Sequence, residues 1–132
     1  MHRHIYISRA LISDRAALDA IIATSVARNS GVGLTGELWF DGTSFAQVLE
    51  GDRLAIRFTM DRVRADTRHT DIEVVSDREI RHAMFNRWSM KMANEPDNPG
   101  DGTAFLVGFA KSERGELAQR LYRIAIASAD MD

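Results

Sequence analysis

The chain has 132 residues, 45% of them hydrophobic and 27% charged, with a formal net charge of −2. That is one domain's worth of chain, and its near-neutral balance favours neither a nucleic acid nor a membrane surface as partner. The absence of cysteine excludes a disulfide framework and thiolate chemistry. Together with the polar start Met1-His2-Arg3-His4 and the lack of an apolar run near the roughly 20 residues that cross a bilayer, it sets the expectation of a cytoplasmic protein.

His4-Ile5-Tyr6-Ile7-Ser8 alternates, and predicts a first strand with Ile5 and Ile7 on one face and Tyr6 and Ser8 on the other. From Asp14 the apolar period changes: Leu18, Ile21, Ile22 and Val26 predict a helix to about Asn29, with Ser13 or Asp14 to cap it and Gly31 after its end. Strands over Gly33 to Phe40 and Thr43 to Glu50 meet at Asp41-Gly42, a dipeptide suited to a tight hairpin. Ile56, Met60 and Val63 mark the inner stripe of a second helix over Asp52 to Asp66. A fourth strand is expected over Ile72 to Val75, and a fifth over Phe85 to Met92, where Trp88, Met90 and Met92 alternate with Arg87, Ser89 and Lys91.

Both prolines fall in the stretch from Asn94 to Gly102, which reads as a loop. A C-terminal helical segment follows, with an apolar stripe of Leu117, Leu121 and Ile124. The order β-α-β-β-α-β and a further strand predicts an α+β ferredoxin-like sandwich: a five-stranded mixed sheet with two helices on one face. Residues 1–93 would form the core, and 94–132 a loop and helical extension covering the sheet's other face or a partner.

Gln47 is the amide in the row Phe45, Gln47, Leu49, the face of the third strand opposite Ala46, Val48 and Glu50. A buried carboxamide needs partners for one oxygen and two N–H groups, and each unmet group costs about 1–3 kcal/mol. Backbone groups or Tyr6 could meet that need. Other polar residues recur where the helices should face the sheet: Ser25 and Asn29 one turn apart on helix one, and Arg62 and Asp66 one turn apart on helix two. Arg62 and Asp66 alone would form a solvated ion pair, and Asn29 alone a helix terminus. Together the set could converge on a ligand. His2, His4, His69 and His82 have no metal-binding spacing, and no metal is expected.

These residues resemble the BLUF family of flavin-binding blue-light receptors. The resemblance runs from Ile5 to Met90 through Tyr6-Ile7-Ser8, Asn29 with Leu34-Thr35-Gly36, Phe45-Ala46-Gln47-Val48-Leu49-Glu50-Gly51, Asp66-Thr67-Arg68-His69 and Phe85-Asn86-Arg87-Trp88-Ser89-Met90. It implies that Tyr6 and Gln47 are the photoactive pair beside the isoalloxazine ring, and that Trp88 and Met90 respond near Gln47. It also implies that Ser25, Arg28, Asn29, Arg62, Asp66, Arg68 and His69 border the flavin. The cofactor would be FAD, with FMN or riboflavin as substitutes. The implied mechanism is electron and proton transfer from Tyr6 to the excited ring and back, leaving Gln47 with rearranged hydrogen bonds. The sequence departs from the family at Arg28, where His or Asn is frequent, and at Ala83, where Arg is common.

The short stretch after Met92 leaves no room for a cyclase or phosphodiesterase, so the chain is expected to be no enzyme and to signal through a separate partner protein, as a homodimer. The competing expectation is a chromophore-free ferredoxin-like interaction or small-ligand module. An acyl-phosphate hydrolase lacks its glycine-rich anion loop here, and an RNA-binding sheet would want exposed aromatics on a basic face.

Overall fold

The computed structural model describes residues 1–12, 14–85, 91–92 and 101–129. In chain order these form β1 (His2–Ala10), α1 (Arg15–Gly31), β2 (Thr35–Phe40), β3 (Ser44–Gly51), α2 (Arg53–Ala65), β4 (His69–Glu79), β5 (Lys91–Met92), α3 (Asp101–Ser112) and α4 (Glu116–Ala129). The strands order as β4-β1-β3-β2-β5. The first four are antiparallel neighbours throughout.

Local chemistry explains the element ends. Asp14 caps α1, its carboxylate accepting the Ala17 N–H at 2.7 Å, and Asp52 caps α2 by accepting from Leu54 and Ala55. The β2–β3 hairpin turns on Asp41, whose Oδ1 accepts the backbone N–H of Thr43 at 2.9 Å and of Ser44 at 2.7 Å. Gly42 takes the φ of 103° that this turn requires.

Alternation along the strands divides the core into two layers. On one face Tyr6, Leu38, Phe45 and Leu49 pack with Leu18 of α1 and with Ile56 and Met60 of α2. On the other, Ile5, Ile7, Trp39, Ala46 and Val48 pack with Leu106 and Ala110 of α3 and with Leu121, Ile124 and Ala125 of α4. The C-terminal stripe thus covers the chain's own sheet. The extension is two helices rather than one segment, and Phe105, Leu106 and Phe109 of α3 add to the cluster. Trp39 Nε1 donates to Thr103 Oγ1 at 2.9 Å, and Ser128 Oγ donates to the Phe40 carbonyl at 2.6 Å, so both helices are also tied to β2 by hydrogen bonds.

Two expectations are corrected. Among the described residues four strands of regular length, not five, make the sheet, with the two-residue β5 at its edge. Of the strand expected over 85–92, Phe85 precedes any strand, residues 86–90 lie outside the described residues, and only Lys91 and Met92 pair, in parallel, with Glu37 and Leu38 of β2. β4 is the opposite case, spanning His69–Glu79 where only Ile72 to Val75 was apparent. It is an edge strand, and Glu73, Asp77, Arg78 and Glu79 are exposed along it, which hides its periodicity.

Candidate functional site

Tyr6 and Gln47 stand directly opposite each other in the antiparallel β1–β3 register. Both are buried, Tyr6 4% and Gln47 5% exposed, and the Tyr6 hydroxyl donates to Gln47 Oε1. Burial first, and the Asp66 carboxylate second, raise the Tyr6 pKa well above the usual phenol value, so the hydroxyl keeps its proton throughout the physiological range.

The pair forms part of the floor of a narrow cleft of about 50 Å³ between α1 and α2, whose walls include Ile21 and Ser25 of α1 and Val63 of α2, with Asp66, Arg68 and His69 beyond α2. Ile21, Ile22 and Val26 belong to the stripe that α1 turns toward the sheet, yet each is only half-buried. α1 therefore stands off from the strands where the cleft lies.

One turn beyond Ser25, Asn29 is 2% exposed. Its carbonyl closes the helix end by accepting the Leu34 N–H at 2.9 Å, but its buried side-chain nitrogen has no hydrogen-bond partner among the described residues. A buried N–H donor without an acceptor is costly. Such an orphan beside a polar-floored cleft fits a ligand with acceptor atoms along one edge.

His69 is held on both sides. Its Nε2 lies 2.7 Å from the Val63 carbonyl, which can only accept, so Nε2 carries a proton. Its Nδ1 lies 2.8 Å from Ser8 Oγ. With both nitrogens engaged, His69 can offer a ligand its ring surface but no free polar atom. Ser8 was not among the expected site residues, although its place on the Tyr6 face of β1 was readable.

Arg62 and Asp66 do not form the ion pair that their helical spacing allows. Asp66 pairs instead with Arg68, Nη2 to Oδ2 at 2.6 Å and Nε to Oδ1 at 2.9 Å. This hydrogen bonding holds the Asp66 pKa below the usual carboxylate value, against a smaller opposing effect of burial. The Arg62 guanidinium lies over the Phe58 ring, 4.7 Å from its centroid. Arg28, Arg62 and Arg68 line a second, more open cavity of about 550 Å³ that shares Asp66 and Arg68 with the cleft. A ligand with a polar ring and an anionic tail could span both. Trp88 and Met90 lie outside the described residues.

Glu50 is a buried ionic residue the sequence reading passed over, with a side chain 0% exposed. Its carboxylate accepts Arg3 Nε at 2.7 Å, the Met84 N–H at 2.9 Å and the Phe85 N–H at 2.8 Å. It thereby fixes the end of β3 to the segment leading toward residue 88.

Residues 1–91 match the family model described as BLUF, sensors of blue-light using FAD. The beta subunit of a photoactivated adenylate cyclase from Euglena gracilis is 34% identical over 92 residues, which cover 68% of this chain and 11% of that protein. The chain thus spans about a tenth of that relative's length. Among solved structures, the dark state of the BLUF protein BlrB superposes with a TM-score of 0.68 at 27% identity, covering 97% of this chain and 96% of that one. BlrP1 of Klebsiella pneumoniae with FMN and cyclic diGMP superposes with a TM-score of 0.63 at 28% identity, covering 69% of this chain and 25% of that one. The chain belongs to the BLUF family, the sensors of blue light using FAD.

Proposed function

We propose that this chain is a blue-light receptor that holds a flavin between α1 and α2 and passes the light signal to a separate partner protein. The observation that carries the reading is the buried Tyr6–Gln47 pair at the floor of a cleft beside the unpartnered Asn29 amide. When bound, the flavin supplies a light-excited electron acceptor.

Around it the chain's own residues have separable tasks. Tyr6, kept neutral by burial, offers an electron and a proton, and its hydroxyl already points that proton at Gln47. Gln47 is an acceptor at one end and a donor at the other, so rotation or tautomerism rewires its bonds with no change in net charge. Asn29 Nδ2 donates to the ring's polar edge, and Ser25 and His69 border the ring. Arg28, Arg62 and Arg68 suit the phosphate-bearing tail, Arg68 being oriented by Asp66. This favours FAD over riboflavin. FMN, named with BlrP1, would use the same cations.

Ala46 and Val48, on the face of β3 away from Gln47, pack in the cluster with α3 and α4. A change at Gln47 therefore has a packed route to the C-terminal helices. The chain acts in this reading as a cytoplasmic homodimeric sensor with no catalytic activity of its own. Among the described residues no helix is long and apolar enough to cross a membrane.

Gln47→Leu tests the reading. The variant should keep its flavin and lose the light-induced red shift of the flavin band. Protein that stays colourless after reconstitution with FAD would overturn the proposal, as would a Gln47→Leu protein with an unchanged light response.

A further inference from the structure

A separate cavity of about 210 Å³ lies between the start of β1, α2 and β4, lined by His2, His4, Arg53, Arg57, Arg64 and Asp77 together with apolar side chains of α2. That is well above the ~15 Å³ one water requires. His4 forms its buried end. It is 5% exposed, and neither ring nitrogen has a hydrogen-bond partner among the described residues. The nearest acid is Asp77, whose carboxylate is 3.7 Å from His4 Nδ1 and 3.1 Å from His2 Nε2.

Arg53, Arg57 and Arg64 share one side of α2 and are all exposed. Arg64 is 3.8 Å from Asp61, so three guanidiniums face two carboxylates, with two imidazoles added to the cationic side. Such a lining repels a metal ion, and among the described residues no group of His and acidic side chains could hold one. Guanidinium forks match the oxygens of a tetrahedral oxyanion, and a buried imidazole N–H supplies a donor from below.

We propose that this cavity is a binding site for a phosphate group, with His4 as the buried donor and Arg57 and Arg64 as its principal cationic partners. Nothing in the flavin cleft requires these residues. The site is nonetheless close to it, the His4 and Tyr6 ring centroids being 6.3 Å apart. In the empty cavity, burial lowers the His4 pKa, with Arg64 and His2 adding to the effect and Asp77 opposing it. A bound anion favours the imidazolium, so binding should tighten as the pH falls toward the lowered His4 value.

The test is a titration of the full-length, flavin-loaded protein in the dark, labelled with ¹⁵N-histidine and observed by NMR at the His4 ring nitrogens. Inorganic phosphate is added in one arm, ADP in a second, and sodium chloride at matched ionic strength in a third. The proposal expects a saturable His4 shift with phosphate or ADP and none with chloride. Arg57→Ala with Arg64→Ala should weaken it at least tenfold, and Arg123→Ala on α4 should leave it unchanged. Tighter binding of ADP would identify a nucleotide as the source of the phosphate group, and equal affinities would identify free phosphate. A His4 shift no larger than the chloride control, or one undiminished in the Arg57 and Arg64 variant, overturns the proposal. The substituted arginines are exposed, so loss of folding does not confound the result.

Discussion

Replacing Glu50 tests whether a buried carboxylate joins β3 to the segment beyond β4. In Glu50→Gln the shape is nearly kept, and the remaining carbonyl oxygen can still accept from Met84 and Phe85. The amide nitrogen must then face Arg3 Nε, which is now 2.7 Å from an oxygen, and donor meets donor. Loss of a hydrogen bond to a charged group costs ~1.5–3 kcal/mol, so Glu50→Gln should cost about 2–3 kcal/mol. Glu50→Leu goes further, leaving the Met84 and Phe85 N–H groups without their acceptor and Arg3 without its counter-ion. Breaking a buried ion pair from one side costs about 3–5 kcal/mol. Arg3→Leu should cost less than Glu50→Leu, because the carboxylate keeps both backbone donors. With a urea m-value of about 2 kcal/mol/M, Glu50→Gln should lower the unfolding midpoint by roughly 1–1.5 M, measured by circular dichroism in the dark. A loss under about 1 kcal/mol for Glu50→Leu, or Arg3→Leu matching it, would refute the assigned roles.

Tyr6→Phe removes the hydroxyl that donates to Gln47. It should cost about 1 kcal/mol of stability and abolish the light-induced spectral change with flavin still bound, as read by denaturation and by difference absorbance. Asp66 has its folded-state pKa depressed chiefly by Arg68. Its contribution to stability is therefore complete above the unfolded value of 3.8 and is lost as the pH falls through the lower folded value. The stability gap between wild type and Asp66→Asn should shrink as the pH drops below about 4, and a gap constant from pH 7 to pH 3 in urea titrations would refute the pairing with Arg68. Leu121 is 0% exposed between α4 and the sheet, so Leu121→Ala should cost about 2–5 kcal/mol. A cost near zero would mean that α4 does not rest on this sheet in solution.

The hairpin, both N-terminal helices and the face shared by Phe45, Gln47 and Leu49 were legible because each depends on neighbours close in sequence. Asp41-Gly42 sets its own turn, and alternation alone groups Tyr6 with Ser8 and Gln47 with Phe45 and Leu49. What stayed hidden depends on pairing across the fold. The partner of Asp66 is Arg68 rather than Arg62, a choice set by the turn after α2 and not by helical spacing. α3 was folded into a single C-terminal segment because Gly102 and Gly108 weaken its helical signal, while Phe105 and Leu106 show their purpose only against Trp39 and Phe85 across the sheet. Glu50 shares a face with Ala46 and Val48, so its burial could have been read from its own strand. Its two backbone donors could not, since Met84 and Phe85 reach it from outside any regular element.

The most direct measurement is the absorbance spectrum of the purified, flavin-reconstituted protein, taken in darkness, after blue light, and again after dark recovery. The account predicts a flavin band that shifts to the red on illumination and returns in the dark. A bound flavin whose band does not move under blue light would contradict it.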